Sequence, residues 1–277
     1  MARIRAVFDR IYWALVHWIA PGLLNAQRKY LEGLLTHVRQ DGRWLDLGCG
    51  CRVVPQWLPE AGRIQAKLDR KSGVVVGVDC DEPSLSRNVA IPSRVLGRIA
   101  RLPFADSAFD LITANMVMEH TENPERILSE IHRVLQPNGV FLFQTPNLFN
   151  PFTLMAIPVP QGIKNVIVRF LHDRAPEDVF PTFYRLNRVR TIEKLARRTS
   201  LCVQQLNLVE SSAETLMLGP LVIFELLFIR LTRLHALRWL RSDIIAVLRK
   251  PDQVSEEASE TTIAGRVPER RQLSDAA

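Results

Sequence analysis

A chain of 277 residues with 47% hydrophobic content is long enough for one large α/β domain with additions, or for two small ones. The four cysteines, Cys49, Cys51, Cys80 and Cys202, fit no secreted disulfide framework, and no signal peptide with a cleavage site precedes them, so the expected compartment is a reducing cytosol. The net charge of +7 is uneven: residues 251–277 hold six acids and three arginines, a net −3, which leaves +10 on the rest. A basic body suits nucleic acid, anionic lipid or a plain basic surface, and charge alone does not choose.

Residues 4–19 are an amphipathic helix candidate, with Ile4, Val7, Phe8, Ile11, Leu15, Trp18 and Ile19 on one face and Arg5, Asp9, Arg10, Trp13 and His17 opposite. Such a helix either packs on the domain and caps a cleft, or lies in a membrane interface, as Tyr12, Trp13 and Trp18 would favour. A second helix is expected over 25–39. Strand and helix then alternate: strand 43–48, helix near 55–70, strand 74–79, a short helix near 83–89, a strand near 93–99 and strand 109–115. Asn123 and Pro124 open the next helix, whose buried stripe is Ile127, Leu128, Ile131, Val134 and Leu135. Pro137-Asn138-Gly139 then turns into strand 140–145. This alternation implies an α/β protein with a mainly parallel sheet and helices on both faces.

Residues 146–190 read as irregular, followed by helix 191–199, strand 201–209 and a last strand over 243–249. Between those last two strands lies an almost wholly apolar run, Leu216–Ile229, followed by Arg230, Arg233, Arg238 and Arg241 among leucines and Trp239. The run is shorter than the ~18–20 residues a spanning helix needs. It is either a monotopic membrane segment or a helical hairpin buried on the domain or in a dimer interface. The expected organisation is an N-terminal helical cap over 1–40, a main domain over 41–250 with the insertion at 211–242, and a polar, disordered tail over 251–277.

The most informative stretch is Arg43-Trp44-Leu45-Asp46-Leu47-Gly48-Cys49-Gly50-Cys51-Arg52. A strand that ends in glycines lets backbone N–H groups approach a ligand with no Cβ in the way. The second strand, Val74-Val75-Val76-Gly77-Val78, ends in Asp79, where a carboxylate suits the two hydroxyls of a ribose. Together they read as a nucleoside-type cofactor site. The dinucleotide fingerprint would need a third glycine at Val53, which counts against a dehydrogenase. Asp46 before the glycines would repel a pyrophosphate and suit a cation. Cys49 and Cys51 lie in the glycine loop without zinc-type spacing, so no metal is expected.

This segment resembles motif I of the class I S-adenosylmethionine-dependent methyltransferases, with Asp79 resembling their ribose-binding acid. The runs Leu102-Pro103-Phe104, Ser107–Ile112, Asn115–His120, Ile131–Gly139 and Thr145-Pro146-Asn147 are similar, in order, to the type 11 methyltransferase domain. The resemblance implies a doubly wound, mainly parallel seven-stranded Rossmann-like sheet with an antiparallel last strand and a helical insertion before it. It also implies S-adenosyl-L-methionine as cofactor, with Asp46, Gly48, Cys49, Gly50, Asp79, Cys80, Ile99, Asn115 and Met116 as cofactor-binding residues. Arg98 stands where the family often has an acid for the adenine, and Arg52 where motif I has its third glycine.

His120, with Glu119 beside it, is the candidate general base for a hydroxyl acceptor, against the alternative of a histidine satisfied by local hydrogen bonds. His172 and Tyr184 lie in the segment expected to shape the acceptor pocket. The expected activity is methyl transfer to O or C of a small or lipid-linked acceptor in the cytoplasm, with peripheral contact on the inner membrane face through 4–19 and 211–242 left open. The alternative is a non-catalytic membrane-associated protein that retains the fold. No nucleic-acid partner is expected, because the chain has no Asn/Asp-Pro-Pro-aromatic motif and no added binding module.

Overall fold

The computed structural model describes residues 14–21, 23, 25–159, 180–211 and 221–252. Residues 14–19 are helical (α1), and α2 follows at Ala26–His37, capped by the Asn25 side chain, which accepts from Gln27 N–H. The alternating part then runs β1 Arg43–Leu47, α3 Ala61–Lys71, β2 Val74–Asp79, α4 Glu82–Arg87, β3 Ser93–Leu96 and β4 Phe109–Asn115. After a single 3₁₀ turn at Met118–His120 come α5 Pro124–Val134, β5 Leu135–Pro146, α6 Pro151–Ala156, α7 Val189–Arg198 and β6 Cys202–Val209. The insertion contributes α8 Leu221–Leu231 and a 3₁₀ segment His235–Leu240 before β7 Asp243–Arg249.

The strands form one seven-stranded sheet in the order β3-β2-β1-β4-β5-β7-β6. The first five are mutually parallel, and β7 is antiparallel to both β5 and β6. Strand order reverses beside β1, so β1 and β4 flank the switch point, where ligands of open α/β sheets bind at the carboxyl ends. The inner strands are buried on both faces, while the edge strands β3 and β6 are largely exposed. One layer packs Leu45, Leu47, Ile112, Phe141 and Phe143 against Leu128, Ile131 and Ile192; the other packs Trp44, Leu111 and Leu142 against Tyr30, Leu31 and Leu34 of α2. Near-continuous apolar strands are what burial on two faces requires.

Several expected boundaries move. Helix 55–70 begins only at Ala61, because Pro55 and Pro59 break the preceding stretch into turns. The strand near 93–99 stops at Leu96, where Gly97 N–H turns to Asp79 C=O. Strand 140–145 starts five residues early, because Leu135 already pairs with Phe109 and Asn138, at φ 63°, donates to Lys250 C=O. Helix 25–39 ends at His37 and helix 191–199 runs from Val189 to Arg198.

The buried side of α1 is Val16, Ile19 and Ala20 (an i, i+3, i+4 set), whereas Trp18, expected on the apolar face, is 80% exposed. The remainder of the expected helix over 4–19, the segment around His172 and the tail beyond Asp252 lie outside the described residues.

Candidate active site at the carboxyl ends of β1, β2 and β4

Asp46 is the fourth residue of β1 and lies opposite Thr113 of β4. Its Oδ1 accepts the Thr113 hydroxyl at 2.6 Å, and Thr113 Oγ1 accepts the Trp44 indole N–H at 2.7 Å. Burial pushes the Asp46 carboxyl up to about 7; the Thr113 hydrogen bond opposes that shift and the Asp79 charge adds to it.

Beyond β1 the chain turns through Gly48, at φ 63°, and Gly50, at φ 50°. A Cβ on Gly48 would lie 2.4 Å from Val117 Cγ2, so only glycine lets the loop pass under the β4 exit. A Cβ on Gly50 would meet nothing within 4 Å, which marks open space in front of the loop. Gly48 and Cys49 N–H both donate to Val78 C=O, and the fully buried Asn88 donates to the carbonyls of Cys49 and Gly50. The loop is therefore held by β2 and by the end of α4.

Asp79 ends β2 with one oxygen accepting from Gly50 N–H (2.7 Å) and the other from Asp81 N–H (2.9 Å). Each carboxylate oxygen keeps a lone pair for a ligand hydroxyl. At the end of β4, the buried Asn115 Oδ1 has no hydrogen-bond partner among the described residues, and Met116, at φ 55°, exposes its side chain. An unpaired acceptor, an open loop and two acids, one with its oxygens aligned by backbone amides, fit a ligand that carries a hydroxyl pair and a cation.

Residues 45–143 match the family described as a methyltransferase domain. Over these residues the chain carries a methyltransferase domain. The chain is 34% identical over 151 residues to a demethylmenaquinone methyltransferase of Symbiobacterium thermophilum, covering 50% of this chain and 57% of that protein. It is 30% identical over 139 residues to a malonyl-[acyl-carrier protein] O-methyltransferase of Erwinia billingiae, covering 48% and 50%.

The chain spans 26% to 59% of the length of the curated relatives it matches. In fold it is similar to an S-adenosylmethionine-dependent methyltransferase of Methanosarcina mazei (TM-score 0.51, 15% identity, covering 79% of this chain and 97% of that one). It is equally similar to the [4+2]-cyclase SpnF (TM-score 0.50, 14% identity, covering 87% and 93%). The fold thus carries more than one chemistry.

Within the methyltransferase domain, Ile99 lies just past β3, half-buried beside the Asp79 edge, while Arg98 and Arg52 are exposed. Cys49 is buried and its thiol is pushed up to about 12 by burial, with Asp46 and Asp79 adding to the rise, so it stays protonated. Cys80 is exposed, and burial of part of its thiol raises it, with Asp79 adding. Leu102 and Phe104 turn into the core, and Phe104 meets Phe109 edge-on at 5.0 Å. That loop is fixed by Arg133, which donates to Leu102 C=O, Phe104 C=O, Asp106 and Glu130.

Glu119 and His120 sit in the 3₁₀ turn after β4. Glu119 is 3% exposed and burial pushes its carboxyl up to about 8. Its Oε2 accepts from Thr145 Oγ1 at 3.2 Å, and Thr145 Oγ1 accepts from Asn187 Nδ2 at 2.8 Å. The Glu119 carbonyl accepts from Phe183 and Tyr184 N–H, which ties segment 180–187 to the exit of β4. His120 Nδ1 lies 2.8 Å from Pro181 C=O; a carbonyl only accepts, so Nδ1 carries the proton and Nε2 is left with its lone pair. Nε2 is 3.9 Å from Glu119 Oε1, and burial lowers the imidazole pKa. The expected candidates therefore lie at or just past the carboxyl ends of β1, β2, β3 and β4.

Residues that sequence reading missed are Asn88, Thr113, Thr145 and Asn187. Thr113 and Thr145 carried a signal, as hydroxyls in largely apolar strands; Asn88 caps the end of a short helix and Asn187 lies in a stretch read as irregular, and neither carried one.

Proposed function

We propose that this chain transfers the methyl group of S-adenosylmethionine to oxygen or carbon of a small or lipid-linked acceptor. The observation that carries the reading is the pairing of Gly50 N–H with Asp79 across the open mouth of the loop. Asp79 would accept the ribose hydroxyls, with Cys80 beside it. Asp46 and the backbone of Gly48, Cys49 and Gly50 would hold the methionyl end, Ile99 would cover the adenine, and Asn115 and Met116 would line the cleft below the reacting carbon. The cofactor supplies a methyl group already activated by a sulfonium, so the protein has to bind, align and exclude water. For a hydroxyl acceptor, His120 Nε2 is the group with a free lone pair to take the proton. Arg52 and Arg98 are both exposed, which favours an open site over the alternative of a non-catalytic protein.

The lipid-linked form of the acceptor is supported by the insertion. Val222, Leu226 and Ile229 of α8 pack on Val16, Ile19 and Ala20 of α1. The outer side leaves Phe224 (69%), Leu227 and Leu231 exposed, next to Leu154 and Met155 of α6, which meets α8 through Phe152 and Phe228 at 6.0 Å. Such an apolar face suits a bilayer interface. No helix among the described residues is long and apolar enough to cross a membrane. Of the arginines in and after α8, Arg230 and Arg233 donate to the carbonyls of Ile19 and Ala20, and Arg241 to those of Leu208 and Thr232, so these three tie the insertion to its neighbours.

The test is incubation with methyl-labelled cofactor and either a membrane-lipid extract or a water-soluble extract, with liposome flotation of wild type and Phe224→Ser/Leu227→Ser alongside. Label in the lipid fraction and flotation lost in the double variant are expected. Label only in soluble products, with no flotation, would remove the lipid-linked acceptor and the membrane contact.

A further inference from the structure

Asp46 occupies a chemically awkward position. It is 6% exposed, its nearest ionisable neighbours are Asp79 of β2, Tyr30 of α2 and the Cys49 thiol, and among the described residues no basic side chain offsets its burial. A carboxyl so placed would ordinarily be neutral. Around it, however, the donors are ordered. An indole N–H can only donate, so Thr113 Oγ1 accepts from Trp44. Thr113 in turn donates to Asp46 Oδ1 at 2.6 Å, and a hydrogen bond donated to the carboxylate favours the ionised form, against the burial that favours the acid. Oδ2 accepts no hydrogen bond from the described residues and is the carboxyl oxygen left for a ligand.

We propose that Trp44 and Thr113 form a positioning relay that favours the ionised form of Asp46 and aims it at the cationic methionyl end of the cofactor, so that cofactor affinity depends on the Thr113 hydroxyl. The proposal rests on the function given above. Trp44 and Thr113 act through Asp46 and touch no substrate. Cofactor binds more tightly as Asp46 ionises and more weakly as pH falls. Loss of the Thr113 hydroxyl moves the half-point of that change to higher pH.

The experiment is performed on the full chain as wild type, Thr113→Ser, Thr113→Val and Trp44→Phe. Asp46 is titrated by carbon-13 NMR of its carboxyl without cofactor, and S-adenosylmethionine affinity is measured by calorimetry from about pH 6 to about pH 8.5. Thr113→Val is expected to titrate later than wild type and to bind cofactor about tenfold more weakly near pH 6.5, with the ratio closing toward one at the alkaline end. Thr113→Ser should match wild type. Trp44→Phe, which frees a lone pair on Thr113, should shift in the same direction by less, and it serves if Thr113→Val does not fold. The ligand's own ammonium titrates alike in all four proteins.

An unmoved Asp46 titration in both Thr113→Val and Trp44→Phe overturns the relay whether or not cofactor binds. Equal weakening at every pH overturns it as well, since that is the mark of a structural defect. Absence of binding by wild type at any pH overturns the cofactor reading itself.

Discussion

Replacing Glu119 by glutamine is expected to stabilise the protein, and only above mildly acidic pH. The Glu119 carboxyl is buried, and that burial lifts it from an ordinary 4.5 to about 8, with Asp243 adding to the rise and Thr145 opposing it. Below about pH 4.5 folded and unfolded chains both hold this proton, and its contribution is fully present. Between about 4.5 and 8 only the folded chain holds it, so stability falls as pH rises; above about 8 the loss is complete.

At about 1.4 kcal/mol per pH unit, the loss by pH 7 is on the order of 3 kcal/mol. Glutamine has no such proton, and its amide oxygen can still accept the Thr145 hydroxyl. Asp46 and Glu210, also raised by burial, slope the same way, but they are common to both proteins and cancel in the difference. The assay is urea unfolding from about pH 5 to about pH 8. The gap between variant and wild type should be under about 1 kcal/mol at the acidic end and on the order of 3 kcal/mol at pH 7. Parallel curves, or a variant weaker at every pH, would refute the assignment of a neutral, buried Glu119.

Three further outcomes are expected. Gly48→Ala places a methyl 2.4 Å from Val117 Cγ2 at φ 63°, and should cost about 3 kcal/mol in denaturant unfolding. Gly50→Ala, at φ 50° with open space around it, should cost only about 1 kcal/mol. His120→Ala should lower turnover with a hydroxyl acceptor about a hundredfold or more while leaving cofactor affinity within about twofold, as kcat and calorimetry would show. Unchanged turnover would leave His120 as the clamp on Pro181.

The framework was legible wherever burial on two faces writes a continuous apolar run. β2 at Val74–Asp79, β4 at Phe109–Asn115 and β7 at Asp243–Arg249 fall where the sequence places them. The acids at the strand tips were legible for the same reason, since Asp46 and Asp79 interrupt apolar runs next to glycines. Less legible was whatever depends on pairing across the sheet. Thr113 meets Asp46 across 67 residues of chain, Asn88 reaches Cys49 across 39, and Asn187 reaches Thr145 across 42. No local period encodes such contacts. The division of α8 into a face packed on α1 and an exposed face was hidden because large apolar side chains occupy both. Trp18 misled because a bulky aromatic reads as core, whereas its neighbours Val16 and Ile19 fill that place.

Calorimetric titration of the full chain with S-adenosylmethionine, in wild type and Asp79→Ala, tests the central claim most directly. In the proposed site Asp79 would accept charge-assisted hydrogen bonds from two ribose hydroxyls at about 1.5 kcal/mol each, so its loss should weaken binding roughly a hundredfold. Binding on the order of micromolar in wild type, weakened to that extent in the variant, is the predicted result. Equal affinity in the two proteins, or no binding by wild type, would contradict it.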